Sequence, residues 1–594
     1  MPTRRERALL LAIALALFAL YVGEGLLARG VYNDDDIGHY LIARDAVARP
    51  ELLLNLWGRP LFTLVYALPA QLGFGAVRIM TAVVTALAVI ATGFAARSAG
   101  IPAPIAGGLF GTMPFVVLLS YSSLTEPLAA LAVALALGAW FARRPTLAFL
   151  LAGCVPLARL ELAVVVGICA IAYLLHTRGP GRWRALLAGA GVLLWALAGA
   201  VVHREPSWFL AQVFTGEENL YGHTGFWHYL RGLIFVVGPV VFLFLLVDLC
   251  ASVAGRRRDL LTFLPGLVVF LYVLLSWKLS VGHAAGFLRH LVAPAPIFAL
   301  AAGRGMIEAL RGDAAARRAR FVLIGGAVLI AAFLSRTLVK HHRVEGPFEL
   351  IRITAALLIL AVFAWASRAR GAAAPARSAP RSSGATRSPG AARSPGAARS
   401  PGATRSPGAT RSPGATPIAS SFGSRAALGA LLLVMIAFLY AVIAEPPLVP
   451  DPEQEAVLAL WTWFAQSDRA SAPVIASHPW FLRELAAAGR LPVGGVPLVK
   501  RTAIEAAPPG TMIIWDSHYS IRPPEGMQLR DFKFDPRFRM LEESIATNRR
   551  FAAYAIEKTA SGPAPGPAPD LEAAPPARHG GPHDDARGGD DGGS

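Results

Sequence analysis

The chain has 594 residues, 55% of them hydrophobic and 16% charged, with a mean hydropathy of +0.50. A soluble chain of this length would divide into domains with charged surfaces, so these proportions exclude a soluble enzyme and describe a membrane protein. The formal net charge of +18 does not point to nucleic acid, because ten arginines and no acidic residue fall within 368–425 and most of the rest occupy short loops between apolar runs. Cys154, Cys169 and Cys250 all sit in apolar runs without metal-type spacing, so neither a disulfide framework nor a zinc site is indicated.

In chain order, apolar runs of spanning or near-spanning length fall at 8–28, 76–96, 104–120, 124–141, 146–158, 162–175, 185–202, 231–250, 259–278, 287–303, 321–338, 348–367 and 426–444. The pair 146–158 and 162–175 reads either as two short spans or as one long helix with a break. The first run has no small-residue cleavage site and reads as a retained helix. Arg4, Arg5 and Arg7, then Arg143 and Arg144, Arg178 to Arg184, Arg256 to Arg258, and Arg304 to Arg320 occupy alternate loops, which the positive-inside rule makes cytoplasmic. The acidic triplet Asp34 to Asp36, the Glu126 turn, the 203–230 and 279–288 loops and everything after 445 then face outward. Residues 60–73 are apolar but too short to span, and read as a helix along the outer interface or packed on the bundle.

Residues 1–367 form the multi-helix module, and 368–425 a cytoplasmic linker containing five tandem copies of Arg-Ser-Pro-Gly-Ala-(Ala/Thr) at 387–416. Pro and Gly in every copy, with nothing apolar to bury, mark a passive disordered linker in preference to a lipid-binding arm. Run 426–444 is a final span. Residues 445–560 alternate helix and strand, with helices at Glu453 to Phe464 and Trp480 to Ala488 and strands at Pro473 to Ser477, Met512 to Trp515 and Phe551 to Ile556. Residues 561–594 form a disordered tail. The fold class expected is therefore an all-α polytopic membrane bundle of about 11–13 transmembrane helices, with a small C-terminal extracytoplasmic α/β domain.

Chemistry-bearing residues converge on the outer face. Asp34, Asp35 and Asp36 follow the first helix, and like charges packed together shift carboxyl pKa values. Glu126 begins a helix with Pro127 in its first turn, at the favourable positive end. Arg159 and Glu161 interrupt an apolar stretch, either as functional groups or as a structural pair. Lys278, His283, Arg289 and His290 bracket the outer end of a later helix. Aromatics between Trp208 and Tyr229 read mostly as interface anchors. Trp515-Asp516-Ser517-His518-Tyr519 follows a strand, and its Asp and His lack the further ligands a metal site needs, so acceptor recognition or stabilisation is expected there.

These motifs, in this order across roughly residues 5–305, resemble the GT-C superfamily of integral-membrane glycosyltransferases, which use polyprenyl-phosphate sugars. Asp35-Asp36 with Ala43-Arg44 is similar to the Asp-Glu spacing of the aminoarabinose and protein mannosyl transferase branch, and Asp34-Asp35 fits the Asp-Asp variant equally well. Trp57-Gly58-Arg59-Pro60-Leu61 resembles a Pro-Pro-Leu helix start with Arg59 replacing the first Pro. Thr125-Glu126-Pro127 resembles Thr/Ser-Glu-Pro, and Arg159-Leu160-Glu161 resembles Arg-Pro-Glu without its Pro. Phe287-Leu288-Arg289-His290-Leu291, with Pro294 and Pro296, is similar to Leu-Arg-Tyr-(Leu)-Pro with His290 in place of Tyr.

The resemblance implies a bacterial inner-membrane enzyme, N-terminus cytoplasmic, with its active site on the periplasmic face. The donor would be a polyprenyl-phosphate sugar and the acceptor a lipid, polysaccharide or protein, with membrane lipids around it and no nucleic acid. Sugar transfer needs a base for the acceptor proton and positive charge on the departing phosphate. Asp35 is the expected base, tuned or oriented by Asp34 or Asp36. Arg289, assisted by Lys278, Arg159 or His283, is expected to hold the phosphate, with Glu126, Glu161, Arg59 and His290 binding substrate. No cofactor is required, because phosphate is a good leaving group, although a divalent cation at Asp34 to Asp36 is compatible with carboxylate oxygens. The alternative is a lipid-linked sugar or small-solute transporter or flippase. That reading predicts midplane charges and related chain halves, and the sequence displays neither.

Overall fold

The computed structural model describes residues 2–213, 225–255, 259–275, 286–310, 424–445, 447–522 and 525–559. The expected spans 321–338 and 348–367, the hexapeptide segment and the tail lie outside these residues. Helix α1 (Arg4–Leu27) starts at a reciprocal cap in which Glu6 N donates to the Thr3 hydroxyl and Thr3 N donates to the Glu6 carboxylate. It leads into α2 (Asp35–Asp45), α3 (Pro60–Gln71) and α4 (Phe74–Ser98). The apolar stretch 104–120, expected as one span, is instead two short helices, α5 (Ala103–Gly111) and α6 (Pro114–Leu119). Pro114 cannot donate into a continuing helix, and α5 is buried on every side, so high hydropathy here reflects packing within protein. Gly107 and Gly111 make that packing possible, since a Cβ at either would run into Leu10 or Leu17 of α1.

Then come α7 (Glu126–Phe141), α8 (Pro145–Ala158), α9 (Ala163–His176), α10 (Ala190–His203), α11 (Trp208–Val213), α12 (His228–Ala254), α13 (Leu260–Leu274), α14 (Ala295–Leu310) and α15 (Ser424–Ala444). A 3₁₀ turn at Leu160–Leu162 separates α8 from α9, and another at Leu288–Val292 precedes α14. Gly238 at φ 79°, followed by Pro239, kinks α12. Among the described residues, four segments are long and apolar enough to cross a membrane: Arg4–Leu27, Phe74–Ser98, Pro180–His203 and His228–Ala254. Shorter apolar helices complete the bundle.

At the end of the bundle away from the acidic triplet, Arg304 of α14 ties three helices together. Its Nε donates to Asp248 of α12 at 2.6 Å and its Nη1 to Asp259, the cap of α13, at 2.8 Å. An arginine assigned to a loop by charge counting is thus a largely buried fastener. Arg304→Ala should destabilise the purified protein by about 3 kcal/mol, because removing one partner strands a buried carboxylate. Unfolding in detergent with the charge-retaining Arg304→Lys alongside measures it, and an unchanged transition in the Ala variant would show that the pair contributes nothing.

Residues 447–559 build the C-terminal unit from α16 (Pro452–Gln466), β1 (Val474–Ala476), α17 (Pro479–Ala487), α18 (Arg501–Ala506), β2 (Met512–Asp516), α19 (Arg530–Lys533), β3 (Phe538–Ile545) and β4 (Ala552–Lys558). The sheet runs β1-β2-β4-β3, with β1 parallel to β2 and both other pairs antiparallel. Strand β3, absent from the sequence reading, is an edge strand carrying Arg539, Glu542 and Glu543, so no apolar run announces it. The unit is not loosely tethered. Val31 and Ile37 beside the acidic triplet share one core with Val457, Leu460, Phe464, Trp480 and Phe481. Each fully buried side chain of this kind contributes about 1.5–3 kcal/mol.

Candidate active site

The site forms at the bundle end on which the C-terminal unit sits, from five segments: the turn before α2, the start of α2, the start of α7, the α8–α9 turn and the 288–292 turn. The three adjacent aspartates take three different partners. Asp36 is buried and accepts from Ser123 N at 2.7 Å and Tyr32 N at 3.0 Å, which fixes the turn before α2 against the bundle. Burial pushes its carboxyl up to about 6. Asp34 accepts from the Tyr519 hydroxyl at 2.5 Å, a group 485 residues away. Burial raises the Asp34 carboxyl as well. Asp35, like Asp34, is part-exposed, its side chain 33% exposed, and it ion-pairs with Arg289 while accepting from Asn33 Nδ2 at 3.1 Å. Burial is the largest influence and opposes its ionisation, but the charge and hydrogen bond of Arg289, joined by the Asn33 hydrogen bond and other nearby groups, together hold Asp35 below the usual carboxylate range.

Arg289 lies on the 3₁₀ turn, buried, against the ring of Phe287 at 4.5 Å and that of Tyr32 at 5.8 Å. Its Nε is 3.4 Å from Glu126 Oε1, beyond a well-formed hydrogen bond. Among the described residues, Nε and Nη1 have no hydrogen-bond partner. Glu126 is buried in the first turn of α7, where its Oε1 accepts from Arg159 Nη1 at 2.9 Å and its Oε2 has no partner among the described residues. Arg159 also donates from Nε to Glu161 at 2.8 Å. Asp35, Arg289, Glu126, Arg159 and Glu161 thus form one continuous chain of alternating charge.

Arg59 precedes α3 with φ 58°, a left-handed conformation unusual for a side chain this large, and it interacts electrostatically with Arg159, Glu161, Glu126 and Asp35. His290 is buried beside Phe287 and Tyr272, with ring centroids 5.9 and 6.1 Å away. Lys278 and His283 lie outside the described residues. The structure therefore brings together Asp34, Asp35, Asp36, Arg289, Glu126, Arg159, Glu161, Arg59 and His290. Of the aromatic residues between 208 and 229, Tyr221 and His223 lie outside the described residues; Trp208, whose Nε1 donates to Ala196 O at 2.9 Å, and Tyr229 are buried, while Phe226 and Trp227 are exposed.

Sequence reading missed several residues. His39 lies one helical turn after Asp35, and its ring stacks on Trp57 at 4.9 Å with Nε2 3.1 Å from Trp57 O. Burial holds this imidazole down at about 4, so it is neutral. The i, i+4 spacing from Asp35 was the available signal. Glu453 and His478 of the C-terminal unit approach Asp34, and the three offer donor atoms within 4.8 Å of one another. Asp516 is committed to its own turn, accepting from His518 N at 2.9 Å and Ser520 Oγ at 2.9 Å, so it does not pair with His518 toward a metal.

No family model matches the sequence, and no curated protein matches it. Among solved structures, the chain is similar to ArnT from Cupriavidus metallidurans in the apo state, with a TM-score of 0.54 and 14% identity over 94% of this chain and 98% of that one.

Proposed function

We propose that this chain is an integral-membrane glycosyltransferase that moves a sugar from a polyprenyl-phosphate donor to an acceptor on the periplasmic side. The carrying observation is the Asp35–Arg289 pair, an accessible carboxylate held by a buried guanidinium that keeps unpartnered nitrogens. Likeness in fold to ArnT, a GT-C aminoarabinose transferase, supports the same reading. In the reaction, the acceptor oxygen or nitrogen attacks the anomeric carbon, the bond from that carbon to the phosphate oxygen breaks, and polyprenyl phosphate leaves with the electron pair. Asp35 takes the acceptor proton. One displacement inverts the anomeric centre, and a single base suffices.

The pair also explains timing. While Arg289 holds Asp35, the carboxylate is a weak base. A donor phosphate offers Arg289 a bidentate partner, and Asp35, released from its cation beside a new anion, becomes more basic as substrate arrives. Glu126 stands 3.4 Å behind Arg289 Nε as a counter-charge without a hydrogen bond, and Arg159 anchors Glu126. No metal is needed in this scheme, because Arg289 offsets the second negative charge that develops on the phosphate as it departs. Sugar and acceptor selection is assigned to the surroundings of Arg59, Glu161 and His290.

The test is release of polyprenyl phosphate from a panel of polyprenyl-phosphate sugars by the full chain in nanodiscs, with cell-envelope extract as acceptor. Turnover of one donor with an inverted product establishes the class and names the sugar. If no donor is consumed while, in sealed proteoliposomes of the same chain, labelled lipid-linked sugar crosses the bilayer, the protein is a transporter and this reading fails.

A further inference from the structure

The C-terminal unit grips α2 at both ends. At the C-terminal end, Arg44 Nη2 donates to Pro492 O at 3.1 Å and Gly494 N donates to Asp45 Oδ2 at 2.8 Å. At the N-terminal end, Tyr519 donates to Asp34. Arg29 N and Gly30 N both donate to Leu448 O at 2.9 Å, which fixes the strand of chain leading into the triplet. The helix that carries Asp35 is therefore positioned by a unit lying more than 400 residues further along the sequence.

Tyr519 is itself held from three sides. Asp516 shapes its turn and accepts from Tyr519 N at 2.5 Å. The Arg522 guanidinium lies over its ring at 4.0 Å, and His478 meets the ring edge-on at 5.2 Å. Glu453 fixes both flanking imidazoles, accepting from His478 Nε2 at 3.0 Å and from His518 Nδ1 at 2.7 Å. Burial would raise the Glu453 carboxyl, but those two hydrogen bonds outweigh it and hold it at about 2.

Asp34, Glu453 and His478 have the composition of a metal site, yet the imidazoles are turned the wrong way for one. Arg522 Nη2 can only donate, and it lies 2.5 Å from His518 Nε2, so the proton of His518 sits on Nδ1 facing Glu453. Trp480 N donates to His478 Nδ1 at 3.3 Å, so His478 likewise presents N–H to Glu453. A ligating histidine needs an acceptor behind it and a lone pair in front. Both have donors behind. The cluster is a hydrogen-bonded clasp.

We propose that the C-terminal unit completes the transfer site, with Tyr519 as a positioning residue whose hydroxyl fixes Asp34 and thereby the first turn of α2 and Asp35. This rests on the transferase reading. Asp34 is faced by Tyr519, His478, His518 and Glu453 from the C-terminal unit, by Asp35 and Asp36 on its own segment, and beyond them by Arg289. The Tyr519 hydrogen bond favours the ionised form of Asp34. Removing it raises the Asp34 carboxyl further, so the acid limb of activity moves to higher pH.

The experiment compares wild type with Tyr519→Phe, a near-isosteric change, as full chains in nanodiscs. The clasp predicts about a tenfold loss in kcat, donor KM within about twofold, an acid limb displaced to higher pH, a melting transition lowered by only about 2–4 °C, and faster amide exchange across residues 35–38. Parallel loss of kcat and melting temperature with an unmoved pH profile overturns it and makes Tyr519 merely structural. Activity abolished by chelator and restored by Zn²⁺ also overturns it, in favour of a metal at Asp34, Glu453 and His478. If no donor is turned over, the transferase reading falls, and amide exchange alone decides the clasp: exchange at 35–38 equal to wild type refutes it.

Discussion

Asp35→Asn should lower the rate of sugar transfer by about 10²- to 10⁴-fold, the range a positioned general base supplies. The substitution is nearly isosteric, and Asn33 retains an oxygen to donate to, so the turn before α2 should persist. The distinctive expectation concerns donor affinity. In the wild-type site Arg289 is engaged by Asp35, and on the proposed transferase reading a donor phosphate would compete with that carboxylate. Asparagine carries no charge, so Arg289 is freed and donor KM should stay level or fall while kcat collapses. Single-turnover kinetics with a donor that wild type accepts reads both quantities. A raised KM with unchanged kcat would make Asp35 a binding residue, and wild-type kinetics in the variant would remove it from the chemistry altogether. Arg289→Ala gives the complementary pattern, a loss in both parameters, because leaving-group stabilisation and donor attraction disappear together.

The aspartate triplet shows how far the sequence reaches. Three consecutive carboxylates after a helix are visible as a candidate site, and so is Asp35 as the member common to both alignments of the motif. Their division of labour is not visible. It is set by Ser123, Arg289 and Tyr519, which lie 87, 254 and 485 residues from the aspartates they contact. Hydropathy located α1, α4 and α12 to within a few residues, because a helix long enough to cross a bilayer must be apolar along most of its length. It failed at 104–120, where a broken helix pair enclosed by protein is as apolar as a span. In the C-terminal unit the central strands β2 and β4 were legible as apolar runs, whereas the charged edge strand β3 was not. Likewise Trp515 to Tyr519 stood out as unusual, but nothing in the local pattern said that its hydroxyl would reach the first loop of the chain.

Arg159→Met should destabilise the protein by about 3–5 kcal/mol, the range for removing one member of a buried ion pair. Arg159 is almost wholly buried and stands between Glu126 and Glu161, with side chains 6%, 1% and 15% exposed. Methionine fills much of the volume, so the loss is electrostatic: two carboxylates keep their desolvation penalty without the cation that offset it. Glu126 still has Arg289 at 3.4 Å, so Glu161 carries the larger share of the strain. The double variant Arg159→Met with Glu161→Leu should therefore recover part of the stability, with a coupling between the two positions of about 0.5–3 kcal/mol. The same pair separates the two roles open to Arg159. If it only fastens Glu126 and Glu161, the folded double variant binds donor with the same KM as Glu161→Leu alone, the reference needed because Glu161 itself lies among the substrate-facing residues. If it touches the donor phosphate, KM stays raised after stability is restored, because no rearrangement of carboxylates returns the missing charge. Equal unfolding of Arg159→Met and wild type would show that the buried chain of charges contributes nothing to stability.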